Sequence, residues 1–135
     1  MQLLQPAGWK APKGYANGVA AEGRQVFIGG QIGWNPRQEF EAAEFVAQAR
    51  QALANVVAVL AEAGGRPEHI VRMTWYVVDK REYLAGGKAL GMAYREIIGR
   101  HFPAMTAVEV RALMEDAARV EIEATAVIPD PRASR

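Results

Sequence analysis

The segment "VEIEATA", Val120 to Ala126, carries the two carboxylates best placed to do chemistry. Glu121 and Glu123 are two residues apart, so on a strand they stand on one face. A carboxylate held there and stripped of water can serve as a general acid or base, or position a water. The same pair can instead make cross-strand ion pairs with Arg111 or Arg119, worth about 0.2 to 1 kcal/mol each. Periodicity alone leaves both readings open. Other chemistries are excluded or disfavoured by the residues present. There is no cysteine, hence no thiolate nucleophile, disulfide or Cys-ligated metal. Ser134 is the only serine and lies at the end of the chain, which removes a serine triad. His69 follows a Pro-Glu turn signal and His101 precedes Phe-Pro; both read as exposed loop residues, and no grouping has metal-ligand spacing. The glycine pairs have no Lys-Ser/Thr behind them and indicate no phosphate cradle. Trp34, in "QIGWNP", is either a lid packed on the fold or a ring that meets a ligand.

The elements that must position these residues follow from pattern. Tyr15 to Ala20 and Gln25 to Gly30 read as a hairpin joined through "EGR", with Gly29-Gly30 allowing a bend or a close approach. From about Glu41, Phe45, Ala49, Leu53, Val56 and Leu60 recur at helical spacing, and Gly64-Gly65 supplies the stop. Ile70 to Val78 is β-branched and aromatic, a strand buried on at least one face. A second helix spans about Arg81 to Gly99, with Tyr83, Leu90, Tyr94 and Ile97 on one side. Gly86, Gly87 and Gly91 weaken it by about 1 kcal/mol each, so packing must hold it or its first turns are irregular. Two strands close the chain, Met105 to Ala112 and Arg119 to Ile128, around "MEDAA". In the last, Val120, Ile122, Ala124, Ala126 and Ile128 alternate with Arg119, Glu121, Glu123 and Thr125.

The order β-β-α-β-α-β-β predicts an α+β domain, a single mixed sheet with two helices on one face. In "FPAMTAVEV" the alternation puts Met105 and Ala107 on the face of Glu109 and Arg111, opposite Thr106, Val108 and Val110. The uncovered face is then expected to carry Met105, Ala107, Glu109, Arg111, Glu121, Glu123, Thr125 and Val127. A sheet face that is half apolar is expected to be buried against other copies of the chain.

At 135 residues the chain fits one domain, 1–135, with its core at about 15–128 and "PDPRASR" forming a loose tail from 129 to 135. The net charge of +1, without a basic cluster, disfavours a dedicated nucleic-acid or membrane-surface binder. No window approaches the roughly 20 apolar residues of a membrane span, and the start lacks a signal-peptide core. A cytoplasmic protein with small-molecule or protein partners is the expectation.

Taken in order, "KGYANGV", "IGGQIGWNP", "AQARQALANVVAVLAEAGG", "IVRMTWYVVD", "FPAMTAVEV" and "VEIEATA" resemble the Rid (YjgF-like) family of reactive-intermediate deaminases, from about Tyr15 to Val127. The resemblance implies a chorismate-mutase-like α+β subunit and a homotrimer with ligand clefts between adjacent subunits. It also implies cofactor-free hydrolysis of enamines and imines, such as 2-aminoacrylate and 2-iminobutanoate, to 2-oxo acids and ammonia. The family's pocket tyrosine falls on Tyr15, although Gly14 precedes it where the family has proline. Its backbone glycine falls on Gly30, and the carboxylate that holds the attacking water falls on Glu121. Three polar positions differ. The arginine that clamps the substrate carboxylate is Met105, the Cys or Ser two residues on is Ala107, and an Asn on the second helix is Gly91.

An arginine holds a carboxylate through two parallel charge-assisted hydrogen bonds; a thioether offers neither charge nor donor. A 2-imino acid is therefore expected to bind poorly unless another cation reaches the cleft. Arg111 is six residues along the strand, about 20 Å at strand rise, and substitutes poorly. Two functions remain in view. One is a divergent hydrolase or deaminase of a less acidic or bulkier enamine or imine, with Glu121 and Tyr15 in catalytic roles and Gly30, Met105, Ala107 and Gly91 lining the pocket. The other is a non-catalytic trimeric module that binds a small molecule or a protein. Some family members have been described as ribonucleases or translation inhibitors, but this sequence offers neither a histidine pair on a matched scaffold nor a basic, aromatic-studded surface.

Overall fold

The structure is a computed structural model that describes residues 1–134. Its centre is a four-stranded mixed sheet, built from β3 (Arg24–Ile32), β4 (Ile70–Val77), β5 (Ala104–Glu109) and β6 (Val120–Ile128) in the order β3-β6-β4-β5. β6 runs antiparallel to both neighbours, and β4 and β5 are parallel. That parallel pair needs a crossover, which α2 (Lys80–Ile97) provides; α1 (Phe45–Glu62) connects β3 to β4. Both helices lie on the same face of the sheet, as the α+β reading requires. No described helix is long and apolar enough to cross a membrane.

α1 buries Phe45, Ala49, Leu53, Val56 and Leu60, and the larger of these side chains contribute about 2 kcal/mol each by leaving water. Glu44 caps its start by accepting from the Val46 N–H. At its end Gly64, at φ +80°, turns the chain so that its N–H reaches Ala61 O and that of Gly65 reaches Leu60 O. Beneath the helices Met73, Trp75, Val77, Val120, Ile122, Ala124 and Ala126 complete the core.

α2 is interrupted where the glycines foretold it. Gly87 takes φ 40°, ψ −115°, which breaks the helix into two segments. The first is tied at its start by Asp79, which accepts from the Arg81 N–H, and by a two-pronged bond from Arg119 to Glu82. The second is tied by the Tyr94 hydroxyl, which donates to His101 O at 2.6 Å, and by the Arg50–Glu96 ion pair.

An expectation about pairing is corrected. Gly18–Ala20 (β2) does not form a hairpin with β3; it pairs antiparallel with β1 (Gln2–Leu4) in a separate two-stranded sheet. The preceding Ala16 forms a parallel bridge to Ala104, so this arm runs beside the β5 edge. Gly23, at φ 147° with its Cα against the Ile128 carbonyl, starts β3 against β6 instead. At the C-terminus, Pro131–Ser134 forms a short 3-10 turn, while Arg135 of the expected tail lies outside the described residues.

Candidate functional site

The second correction moves Met105 across the sheet. β5 pairs in register with β4 as Met73↔Met105, Trp75↔Ala107 and Val77↔Glu109, and all three β4 residues belong to the helix-covered core. Met105, Ala107 and Glu109 therefore face the helices, and Thr106 and Val108 share the uncovered face with Thr74 and Tyr76. A charged residue is tolerated on the inner face at Glu109 because the start of α2 lies there: its carboxylate accepts from the Lys80 N–H at 2.9 Å.

Met105 lines a cleft of about 410 Å³ between α2 and the β5 edge. Trp75, Tyr83, Leu90 and Tyr94 form its inner surface, and Phe102, which stacks on Tyr94 at 5.4 Å, stands beside Met105. α2 presents Leu84, Gly87, Gly91 and Arg95 to the space, positions repeating every three or four residues. A methyl group on Gly87, Gly91 or Gly14 would meet nothing within 4 Å, so these glycines leave real room. The cleft is mainly aromatic and aliphatic. Burial pushes the Tyr83 phenol above its ordinary value and the Tyr94 phenol much further, so both remain neutral.

Two residues lining this cleft carry polar groups that escaped the sequence reading. The Arg95 guanidinium has no hydrogen bond or ion pair among the described residues. Trp75 is only 2% exposed, and its indole N–H has no acceptor. An indole nitrogen can only donate, and a buried donor left unmet costs about 1 to 3 kcal/mol. Arg95 could have been found from the helical spacing that joins it to Gly91 and Gly87; nothing in the sequence signals the missing acceptor of Trp75.

Glu121 and Gly30 form a second cluster, on the uncovered face. The β3–β6 register slips between Ile28 and Gln31, a bulge at Gly29-Gly30. There the Glu121 side chain lies across Gly30: a Cβ on Gly30 would fall 2.7 Å from the Glu121 Cδ. The two carboxylates of β6 differ in engagement. Glu123 accepts from the Tyr76 hydroxyl at 2.6 Å, a bond that raises the Tyr76 phenol above its ordinary value. Glu121 is half-buried and its carboxylate carries no hydrogen bond or ion pair among the described residues. Arg119, expected as a cross-strand partner, reaches to Glu82 on α2.

The remaining positions scatter. Tyr15 lines a neighbouring hollow with Leu4, Asn17, Arg100 and His101, separated from the Met105 cleft by Phe102, which borders both. Ala107 is exposed and lines neither hollow. Arg111 lies in a polar depression with Asp79, Lys80, Arg81 and Glu109, away from Met105. Trp34 packs on Phe40 at 5.8 Å, as a lid would. Both histidines are half-buried rather than exposed: His69 accepts from the Arg66 N–H, and the His101 ring meets Ile70 O at 2.6 Å. No group of three or more His, Cys, Asp or Glu among the described residues could hold a metal ion. One chain thus brings together Met105 with Gly91, and Gly30 with Glu121, on opposite faces of the sheet.

The fold and these clusters define a class: an α+β subunit with helices over one face of a mixed sheet, a mainly apolar cleft at the sheet edge and an unpartnered carboxylate on the open face. The family model for endoribonuclease L-PSP matches residues 7–128, and the chain belongs to that family, the Rid/YjgF proteins. It is 38% identical over 105 residues to the RutC family protein PM1466 of Pasteurella multocida, covering 78% of this chain and 81% of the relative. To the 2-iminobutanoate/2-iminopropanoate deaminase of Escherichia coli it is 36% identical over 116 residues, covering 84% and 86%. The crystal structure of YyfB, a Rid-family protein of unknown function from Yersinia pestis, superposes with a TM-score of 0.82 at 31% identity, over 94% of this chain and 98% of that one.

Proposed function

We propose that this chain is a divergent Rid-type hydrolase that deaminates an enamine or imine-type small metabolite without a cofactor, in a pocket more apolar than that of the archetype. The observation that carries this reading is the open cleft beside Met105: the methionine lines usable space and does not plug it. The 36% identity to a 2-iminobutanoate/2-iminopropanoate deaminase supports the reaction class. In that reaction the Glu121 carboxylate takes a proton from water as the oxygen attacks the C=N carbon. Glu121 returns that proton to the nitrogen to give a neutral carbinolamine; the hydroxyl proton then passes through the carboxylate to the nitrogen as the C–N bond breaks, leaving a carbonyl and ammonia.

Glu121 and Met105 lie on opposite faces of one sheet, so the reading requires a second copy to complete the site. The uncovered face is suited to such packing: Phe27 is 73% exposed there beside Thr125, and the same face carries Val127, Tyr76 and, at the far edge, Val108. A homotrimer with its clefts between subunits is the assembly proposed. The same separation of faces favours the second reading, a trimeric binding module in which Glu121 never reaches bound ligand.

Ammonia release from 2-iminobutanoate, generated in situ by a threonine dehydratase, tests the proposal alongside sedimentation of the protein. Wild type, Met105→Arg and Glu121→Gln are compared. Acceleration by wild type or by Met105→Arg, lost on Glu121→Gln with the assembly unchanged, supports hydrolysis. Saturable binding of an imine analogue with no ammonia above the spontaneous rate in either Glu121-bearing protein sinks it in favour of the module.

A further inference from the structure

The α2–β5 cleft combines three things that a ligand would have to satisfy. Its walls are aromatic and aliphatic, it holds one guanidinium without a partner, and one of its lining residues, Trp75, has a fully buried indole N–H without an acceptor. Arg95 is exposed and belongs to the outer part of the space; Trp75, 2% exposed, belongs to its inner end. Arg95 presents a planar fork of donors that matches a carboxylate, and nothing in the chain occupies it. Met105, on the facing strand, adds polarisable surface but neither charge nor donor.

We infer that this cleft takes an elongated carboxylic acid with an apolar, planar body, its carboxylate on Arg95 and an acceptor atom at its far end on the Trp75 N–H. The inference rests on the cleft being the substrate pocket of the proposed hydrolase, and it names that substrate's class. The cation stands on the helix wall, so a carboxylate can be held although the strand wall has none. The space vacated at Gly87 and Gly91 sets the body, larger than a two- or three-carbon chain would need. The stack of Phe102 on Tyr94 and the edge-on pair of Trp75 and Tyr83, 5.9 Å apart, supply faces for a planar group.

Three stable probes separate these contributions by direct titration followed by NMR of the protein. 4-Hydroxyphenylacetate carries the carboxylate and a distal oxygen, phenylacetate lacks the distal oxygen, and 4-hydroxyphenylacetamide lacks the charge. The expected order is tightest binding for the first. The amide should lose roughly ten- to hundredfold, the range for a charged hydrogen-bonding partner. Arg95→Gln should weaken both acids to a similar degree and leave the amide unchanged. Trp75→Phe should erase the preference for the hydroxylated acid over phenylacetate; the wild-type comparison of those two acids makes the same test if the core variant does not fold.

Absence of binding at millimolar probe, or equal affinity of acid and amide, overturns the assignment. So does an Arg95→Gln protein that binds as wild type does. The readout is independent of turnover. Arg95-dependent binding in a protein that never releases ammonia would remove the hydrolase reading and keep the cleft as a carboxylate-binding site without its substrate role, whereas imine hydrolysis indifferent to Arg95→Gln would do the reverse.

Discussion

Glu121 rests on Gly30. The bulge at Gly29-Gly30 brings β3 so close to the carboxylate that a single added carbon would occupy its place. Because Glu123 is occupied by Tyr76, Glu121 is the carboxylate of β6 free to meet a ligand or a water.

Gly30→Ala should therefore act on Glu121 without acting much on the fold. The group displaced is the far end of a flexible side chain, so the stability change is expected to stay within about 1 kcal/mol. Any turnover should fall as far as it does for Glu121→Gln. Urea denaturation and the ammonia assay, run on both variants, check this; intact turnover in Gly30→Ala would show that the carboxylate's position is irrelevant.

Gly91→Leu should fill the α2–β5 cleft at no structural cost. Nothing lies within 4 Å of the added Cβ, and replacing an exposed helical glycine gains about 0.5 to 1 kcal/mol from propensity. The expected result is a slightly higher urea midpoint together with lost or much weakened ligand binding. A variant that binds as well as wild type would place the ligand elsewhere.

Gln48 should be among the most sensitive positions in the protein. Fully buried on α1, it donates to Ala42 O and Ala117 O and accepts from the Arg119 N–H at 2.7 Å. It therefore staples the segment before β6 to the helix. Gln48→Leu keeps the volume but orphans these backbone groups, and at about 1 to 3 kcal/mol for each buried unmet group the loss should exceed about 2 kcal/mol. Denaturant midpoints read this directly.

Alkali should unfold the protein through its tyrosines. Burial raises the Tyr94 phenol far above its ordinary value, so as pH passes about 10 the unfolded chain gives up that proton first. Stability is full below that point and falls as pH climbs toward the folded-state value. Tyr94→Phe should be less stable near neutrality by about 1 kcal/mol, having lost its bond to His101 O, yet decline less steeply above about pH 10. Urea midpoints measured across that range distinguish the two slopes.

The helices, the three core strands and the weak point in α2 were legible because burial imposes periods of 3.6 and 2, and glycine interrupts them. The face of Met105 was not. On an edge strand both faces can be partly apolar, and alternation says which residues share a face without saying which face is inside. Glu109 made the choice look settled, but a carboxylate is welcome on the inner face wherever a helix begins. The pairing of β2 with β1 was hidden because a short connection such as "EGR" argues for a hairpin, while the Ile128 carbonyl packed against Gly23 is a contact from the far end of the chain. Arg95 lay outside the motifs and needed the cleft to make it visible.

The break at Gly87 has a bearing on how such a pocket changes over generations. Each half of α2 has its own moorings, the first through Glu82 and Asp79, the second through Tyr94 and Glu96. The stretch between them, Gly86 to Gly91, borders the cleft and buries little of the core. Substitutions there can remodel the outer pocket wall while the sheet beneath stays as it was, whereas Trp75, Tyr83 and Tyr94 serve core and pocket together and tie that part of the ligand preference to the fold.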